Sequence, residues 1–318
     1  GNLIATTDAN NGVINLGTLA VDGTVQLTTN GNGAATVVND ARLDFAASTV
    51  GGNLAATATT GNIVDSGVLT VTGTSSFTTS QNNADIYLNN TNAFTGAVSL
   101  NTTGSTGYAT VDNGTTALNV AASSVGGNLN LTSGNSITDS GTVTVDGNLI
   151  ATTDANNGVI NLGTLAVDGT VQLTTNGNGA ATVVNDARLD FAASTVGGNL
   201  AATATTGNIV DSGVLTVTGT SSFTTSQNNA DIYLNNTNAF TGAVSLNTTG
   251  SSGHALVDNG ITALNLAASS VGGYLTLTSG HASGITDSGT VTVGGNLIAT
   301  TDANNGVINL GTLAVDGT

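Results

Sequence analysis

The stretch GNLIATTDANNGVINLGTLAVDGT occurs three times, at Gly1–Thr24, Gly147–Thr170 and Gly295–Thr318. The first two copies begin 146 residues apart and the last two 148 apart, and residues 1–105 return unchanged at 147–251. A period this sharp restricts the chain to an array of stacked units. The expected organisation is one continuous segment, 1–318, with long repeats 1–146 and 147–294 and a partial third, 295–318. Because the same stretch stands at both ends, the chain is expected to be a window on a longer array.

Within the long repeat, apolar residues alternate in short runs. They are Leu3-x-Ala5, Ile14-x-Leu16, Leu19-x-Val21, Val25-x-Leu27, Ala35-x-Val37 and Leu43-x-Phe45, and the pattern continues to Leu149. Period-two alternation puts one set of side chains inward and the other outward. Gly, Asn and Asp between the runs supply the backbone conformations that sharp corners need. The pattern restarts at Leu3, Val25, Leu54, Ser75, Val98, Leu129 and Leu149. These intervals are uneven, long from Val25 to Leu54 and from Val98 to Leu129 and short elsewhere. The expectation is therefore an all-β chain, a parallel β-helix (β-solenoid) of about six coils of 20–31 residues per long repeat. A tandem β-sandwich would need longer strands, hairpins and a domain period of ~100 residues. The two longest coils share a signature, Leu43–Leu54 and Leu118–Leu129, so the cross-section is expected to change periodically along the axis.

Composition narrows the function classes. Aromatic residues make up 3% of the chain, so the core must be a narrow one of Val, Leu, Ile and Ala. All 19 acidic residues are Asp, and Arg42 and Arg188 are the only cations besides histidine, giving a net charge of −17. Phosphate contacts need Lys and Arg, so nucleic acid is not an expected partner. Docking on an anionic membrane is disfavoured for the same reason. No run approaches the ~18 apolar residues of a spanning helix, so no membrane insertion is expected in this segment. Cysteine is absent, which rules out a disulfide framework.

Gly126–Gly147, GGNLNLTSGNSITDSGTVTVDG, and Gly52–Gly73, GNLAATATTGNIVDSGVLTVTG, resemble the repeat of filamentous-haemagglutinin-like bacterial exoproteins and large repetitive adhesins. The resemblance extends over the chain at the level of single coils, although the two long coils depart from it. It implies a right-handed parallel β-helix, exported across the outer membrane and placed at the cell surface. The expected function is a non-catalytic, rigid stalk or fibre segment of a giant extracellular surface protein. The alternatives are a self-assembling matrix filament and a carbohydrate-binding β-helix. Expected partners are glycans of host or neighbouring cells or of the matrix, with self-association end to end or side by side left open.

The strongest candidates for chemistry are Asp40, Arg42 and Asp44 with their copies Asp186, Arg188 and Asp190. Alternation predicts that each trio shares one strand and one outward face. Such a cluster would suit carbohydrate binding or acid–base chemistry, but the favoured reading is a surface ion pair worth ~0–1 kcal/mol. No catalytic residue is assigned, and no cofactor is expected. Asp8-Ala-Asn-Asn-Gly12 lacks the later Glu of an EF-hand loop and reads as a corner with Asn and Gly in left-handed conformations. The net charge leaves room for weak Ca²⁺ binding at the surface. Asp65, Asp139, Asp211 and Asp287 stand in Asp-Ser-Gly turns, where bonding to the local backbone is expected. His254 and His281 are additions to one repeat, too few for a zinc site. Asn89, Asn101, Asn113 and Asn130 head Asn-x-Thr triplets, which arise by chance in a chain this rich in Thr and Asn. Coils of uneven length would spoil the flat threonine face that ice binding needs.

Overall fold

The computed structural model describes residues 1–317; Thr318, the last residue of the third copy, lies outside the described residues. The chain is all β, with parallel strand pairing and no helix among the described residues. It divides into two compact units, Gly1–Ala155 and Asn156–Thr318. Each unit is a β-solenoid with two facing sheets.

In the first unit, the first sheet starts with Leu3–Asn10, Thr24–Asn30 and the bent pair Leu43–Phe45 and Ser48–Val50. The second starts with Ile14–Leu19, Ala35–Asn39 and Leu54–Ala58. Each coil crosses once through each sheet, and each strand bonds to its equivalents one coil before and after. Buried residues alternate with outward ones, as in Thr24–Asn30, where Val25 and Leu27 are fully buried. Stacked aliphatic residues from successive coils thus fill the space between the sheets.

The register corrects the expected coil count. Leu3 pairs with Val25, Val25 with Phe45 and Phe45 with Asp65. Ile63, one coil beyond Leu43, pairs with Ile86, and Ile86 with Ala109. Ala109 then pairs with Leu129, and Leu129 with Leu149. Coils of about 21 residues therefore replace the expected uneven set. The long repeat Gly1–Asp146 holds seven of them rather than six. Val25 lies in the first sheet but Leu54 in the second, and Val98 lies in the second but Leu129 in the first. The two apparent long coils were each one and a half turns. Sequence alternation reads the same on either sheet, so it does not reveal the half-turn.

The cross-section does change along the unit, by a different route. From Leu43 to Phe94 the first sheet carries bent strand pairs: Leu43–Phe45 with Ser48–Val50, Ile63–Asp65 with Leu69–Val71, and Ile86–Leu88 with Ala93–Phe94. From Leu118 to Val145 the bent pairs lie in the second sheet: Leu118–Val120 with Ser123–Val125, and Ile137–Asp139 with Val143–Val145. The two signature segments begin at Leu43 and Leu118. With coils of about 21 residues, that separation is three and a half turns. The same motif is therefore built on opposite faces. The second unit repeats this arrangement, with bent pairs beginning at Leu189 in one sheet and Leu264 in the other.

Three phenylalanines mark the stretch from Leu43 to Phe94. Phe45, Phe77 and Phe94 are fully buried and meet edge to face, with centroids 6.4 and 5.6 Å apart. Phe191, Phe223 and Phe240 reproduce this column at 6.4 and 5.6 Å. The core is thus less purely aliphatic than composition suggests, because all six phenylalanines of the chain are gathered into these two clusters.

Candidate functional site

The corner Asp8–Gly12 has its left-handed residue at Asn11, φ 61°, with Asn157 at 65° and Asn305 at 63° in the copies. Gly12 is needed for space instead: a Cβ there would stand 2.8 Å from Thr7 Cβ. Thr7 Oγ1 donates to Gly12 O at 3.1 Å and closes the corner.

Arg42 and Asp44 come together: Arg42 Nη2 lies 3.2 Å from Asp44 Oδ2, and Arg188 Nη2 3.0 Å from Asp190 Oδ2. Asp44 also accepts from Ser66 Oγ of the next coil. Only Asp44 and Asp190 lie within a strand, Leu43–Phe45 and Leu189–Phe191; Arg42 and Arg188 stand just before it, and Asp40 and Asp186 lie further back. The strand Ala35–Asn39 ends just before Asp40, a bend follows, and the next strand opens at Leu43. The expected alternation of all three residues on one strand is therefore corrected. The chain turns a corner at Asp40, whose carbonyl accepts from Thr60 Oγ1. Asp40 lines a shallow hollow of about 270 Å³ with Thr18, Leu19 and Thr59. The Arg42 side chain is 58% exposed, so its pairing with Asp44 stabilises the fold by no more than ~1 kcal/mol.

The polar groups with most structural consequence are buried at the bends. Asn39, Asn92 and Asn113 are almost fully buried. Asn92 Oδ1 accepts from Leu69 N at 2.8 Å, and Asn113 Oδ1 from Phe94 N at 2.7 Å. Asn113 Nδ2 donates to Ala117 O at 2.9 Å. Where a strand bends, its backbone loses a ladder partner, and these amides replace it.

Asp65 is 7% exposed and points into the same bend. Its carboxylate accepts from Asn92 Nδ2 at 2.7 Å, Asn89 N at 3.1 Å and Asn90 N at 3.3 Å. Burial pushes its pKa above the ordinary value, and the bonds from Asn92, Asn90 and Asn89 offset part of that rise. Asp211 repeats the arrangement. The expected bonding within the local turn is thus corrected. These aspartates end a strand and reach the next coil. Asp287 also reaches forward, accepting from Gly311 N and Thr312 N, both at 2.8 Å, bonds that hold its pKa below the ordinary value.

A second ladder runs along a corner of the first sheet. Asn62 Oδ1 accepts from Asp85 N at 2.8 Å, and Asp85 Oδ1 from Tyr108 N at 2.9 Å. In the second unit Asn208 Oδ1 accepts from Asp231 N, and Asp231 Oδ1 from His254 N, both at 2.8 Å. His254 Nδ1 then accepts from Tyr274 N at 3.0 Å. The His254 and Tyr274 rings stack, with centroids 3.6 Å apart and planes 17° apart. Tyr233 stands beside Asp231, and its pKa is pushed up to about 12, by burial first and then by that carboxylate. Tyr87 beside Asp85 shifts upward for the same reasons. Both phenols therefore remain protonated donors near neutral pH.

Tyr108 and Tyr274 are 42% and 43% exposed. The change from Tyr108 to His254 gives the ladder an acceptor that a tyrosine ring lacks. Because Nδ1 accepts, the neutral His254 ring carries its proton on Nε2. His281 Nδ1 accepts from Ser283 N at 3.0 Å and is committed to its own turn. No cluster of three or more metal-ligating side chains occurs among the described residues. The aspartate–tyrosine–histidine cluster was missed in the sequence because its members come from three successive coils. Aligning the chain by its true coil would have stacked Asp231, His254 and Tyr274, each one position before an inward residue.

Fold and corner chemistry together define a β-solenoid repeat protein. The chain belongs to the family described as repeats of unknown function (DUF5649), whose model matches residues 32–101, 106–160, 178–247 and 253–318. Successive matches begin half a long repeat apart, so the family unit is the half-repeat of about three and a half turns. Neither the curated proteins nor the solved structures yield a match.

Proposed function

We propose that this chain is a rigid, non-catalytic spacer within a giant bacterial surface protein of the filamentous-haemagglutinin-like or large-adhesin type, working outside the cell. The observation that carries this reading is the regular register inside each unit. Coils of about 21 residues follow one another, and their backbone hydrogen bonds run from coil to coil. Extension along the stacking direction must break these bonds together with the aliphatic stacks beneath them. Buried asparagines and the carboxylate of Asp65 tie adjacent coils at the bends, where the ladder alone is weakest. A long repeat of seven coils can be added or lost without altering the surface on which the next coil seats. The likeness of Gly52–Gly73 and Gly126–Gly147 to exoprotein repeats supports placement at the cell surface, with surface glycans as the partner class.

Chains carrying one, two and three long repeats test the mechanical part. Their long dimension in electron micrographs should grow by about 34 Å per repeat, seven coils at ~4.8 Å each. Particles that thicken without lengthening would overturn the spacer reading. Antibody labelling of intact source cells tests the location.

A further inference from the structure

The coil geometry sorts the Asn-x-Thr triplets of the chain by accessibility. There are six: Asn89, Asn101, Asn113 and Asn130 in the first repeat, and Asn235 and Asn247 in the second. An acceptor asparagine must present its amide nitrogen to a transferase, which favours surface turns over packed strands. Asn113 fails this requirement. It is fully buried, and its Nδ2 donates to Phe94 O, Thr116 O and Ala117 O. Asn101 lies within the strand Val98–Thr103, paired with Thr78 on one side and Ser124 on the other. Its Nδ2 donates to Ser99 Oγ at 3.1 Å, and Asn247 repeats that bond to Ser245. Asn130 is likewise held within a strand, between Thr110 and Ile150, with Oδ1 shut off from solvent.

Asn89 and Asn235 are different. Asn89 follows the strand Ile86–Leu88 in a turn, and both Asn89 and Thr91 are exposed. Asn235 and Thr237 are exposed in the same turn of the second unit. The turn is nevertheless rigid. Asp65 holds the backbone N–H groups of Asn89 and Asn90, and Asn90 Nδ2 donates back to Asp65 O at 2.7 Å. No hydrogen bond engages the Asn89 side chain among the described residues, so its amide projects from a fixed backbone.

We propose that Asn89 and Asn235 are acceptor sites for an N-linked sugar on the folded chain. The co-reactants are a phosphate-activated glycosyl donor and an asparagine-directed glycosyltransferase. Asn89 Nδ2 attacks the anomeric carbon, forming an N–C bond. The anomeric C–O bond to phosphate breaks, the phosphate leaves with the bonding pair, and the amide proton passes to a base of the transferase. There is no net oxidation or reduction. A sugar at this turn would project from the bend without displacing an inter-coil bond. This inference does not depend on the spacer reading.

The test uses the purified, folded chain, a nucleotide-activated hexose and a transferase already shown to modify free peptides spanning each triplet. Peptide mapping by mass spectrometry should find the hexose at Asn89 and Asn235, with Asn101, Asn113, Asn130 and Asn247 unmodified. Asn89→Gln with Asn235→Gln should abolish incorporation while the circular dichroism spectrum stays unchanged. Denaturing the chain first should open Asn113 to modification. The proposal is overturned if folded protein is modified mainly at Asn101, Asn113, Asn130 or Asn247. It is also overturned if Asn89 stays bare although its free peptide is modified.

Discussion

Counted from the first family match, two successive half-repeats, 32–101 and 106–160, build one motif on opposite faces, with different interiors. In the first half, Leu43-Asp-Phe45 opens a bend in the first sheet, Phe45, Phe77 and Phe94 fill the core, and Asp65 is buried against Asn92. In the second half, Leu118-Asn-Val120 opens the bend in the second sheet, where Leu118 and Val120 fill the equivalent places without aromatic rings. The aspartate there, Asp139, is only half-buried. The solenoid therefore tolerates a change of core volume and of buried charge, provided inward residues stay apolar and the bend keeps its amide. Packing is local to a few coils, so each half adjusts its interior independently.

The largest expected effect lies in the aromatic half. Phe77→Ala with Phe223→Ala should cost about 3–5 kcal/mol per site, from lost burial and from the cavity left between two other rings. Val120→Ala with Leu266→Ala should cost less, since a smaller side chain leaves a smaller void. Denaturant unfolding of the two double variants decides between them, and equal losses would contradict the packing difference.

The bend amides come next. Asn92→Ala removes the acceptor for Leu69 N and a donor to Asp65, so a loss of about 1–3 kcal/mol is expected for each group left unpaired. Asn113→Ala should behave alike at the next bend. Hydrogen exchange should show Leu69 and Phe94 amides losing protection in the respective variants, and unchanged protection would sink the assignment.

The buried carboxylates predict a pH signature. The pKa of Asp65 and Asp211 is raised in the folded chain, chiefly by burial. The folded state therefore holds more protons than the unfolded one as pH climbs from the ordinary carboxylate value to the raised one. Their contribution to stability is greatest below that window and is lost as pH rises through it. The Asp65→Asn, Asp211→Asn variant should show a flatter stability profile there. Its baseline should fall, because the amide introduced in place of the Asp65 carboxylate would face the Asn92 and Asn90 donors. A profile parallel to the parent would refute the assignment.

Two small effects complete the series. Ser75 Oγ and Ser221 Oγ are buried without a hydrogen-bond partner. Ser75→Ala with Ser221→Ala should leave stability unchanged or raise it by about 1 kcal/mol per site, seen as a higher thermal midpoint. Arg42→Ala should shift stability by no more than ~1 kcal/mol, and the shift should shrink further in high salt. A larger loss would mean that the Arg42–Asp44 pair does more than decorate the corner.

Much of this was legible in the residues. Alternation of Leu, Val and Ile with Thr and Asn announces short strands with one buried face. Asn and Gly between the runs announce corners, and Asn11 takes its left-handed conformation where expected. Val120 and Leu266 are both buried, as a conservative core exchange requires. The length of the coil was not legible, because Val25 and Leu54 look alike while lying on opposite sheets. The roles of Asp65 and Asn92 were hidden for the same reason: they belong to successive coils and meet only after a full turn.

The sequence by itself determined that this chain stacks parallel β coils around a thin aliphatic core. It did so because side-chain alternation and corner residues are local properties, set by near neighbours along the chain. Only the tertiary structure decided how many residues close a coil, which sheet carries the bend and which polar groups meet across coils. Those depend on register between segments a whole coil apart, where a half-turn changes every partner while leaving the local pattern intact.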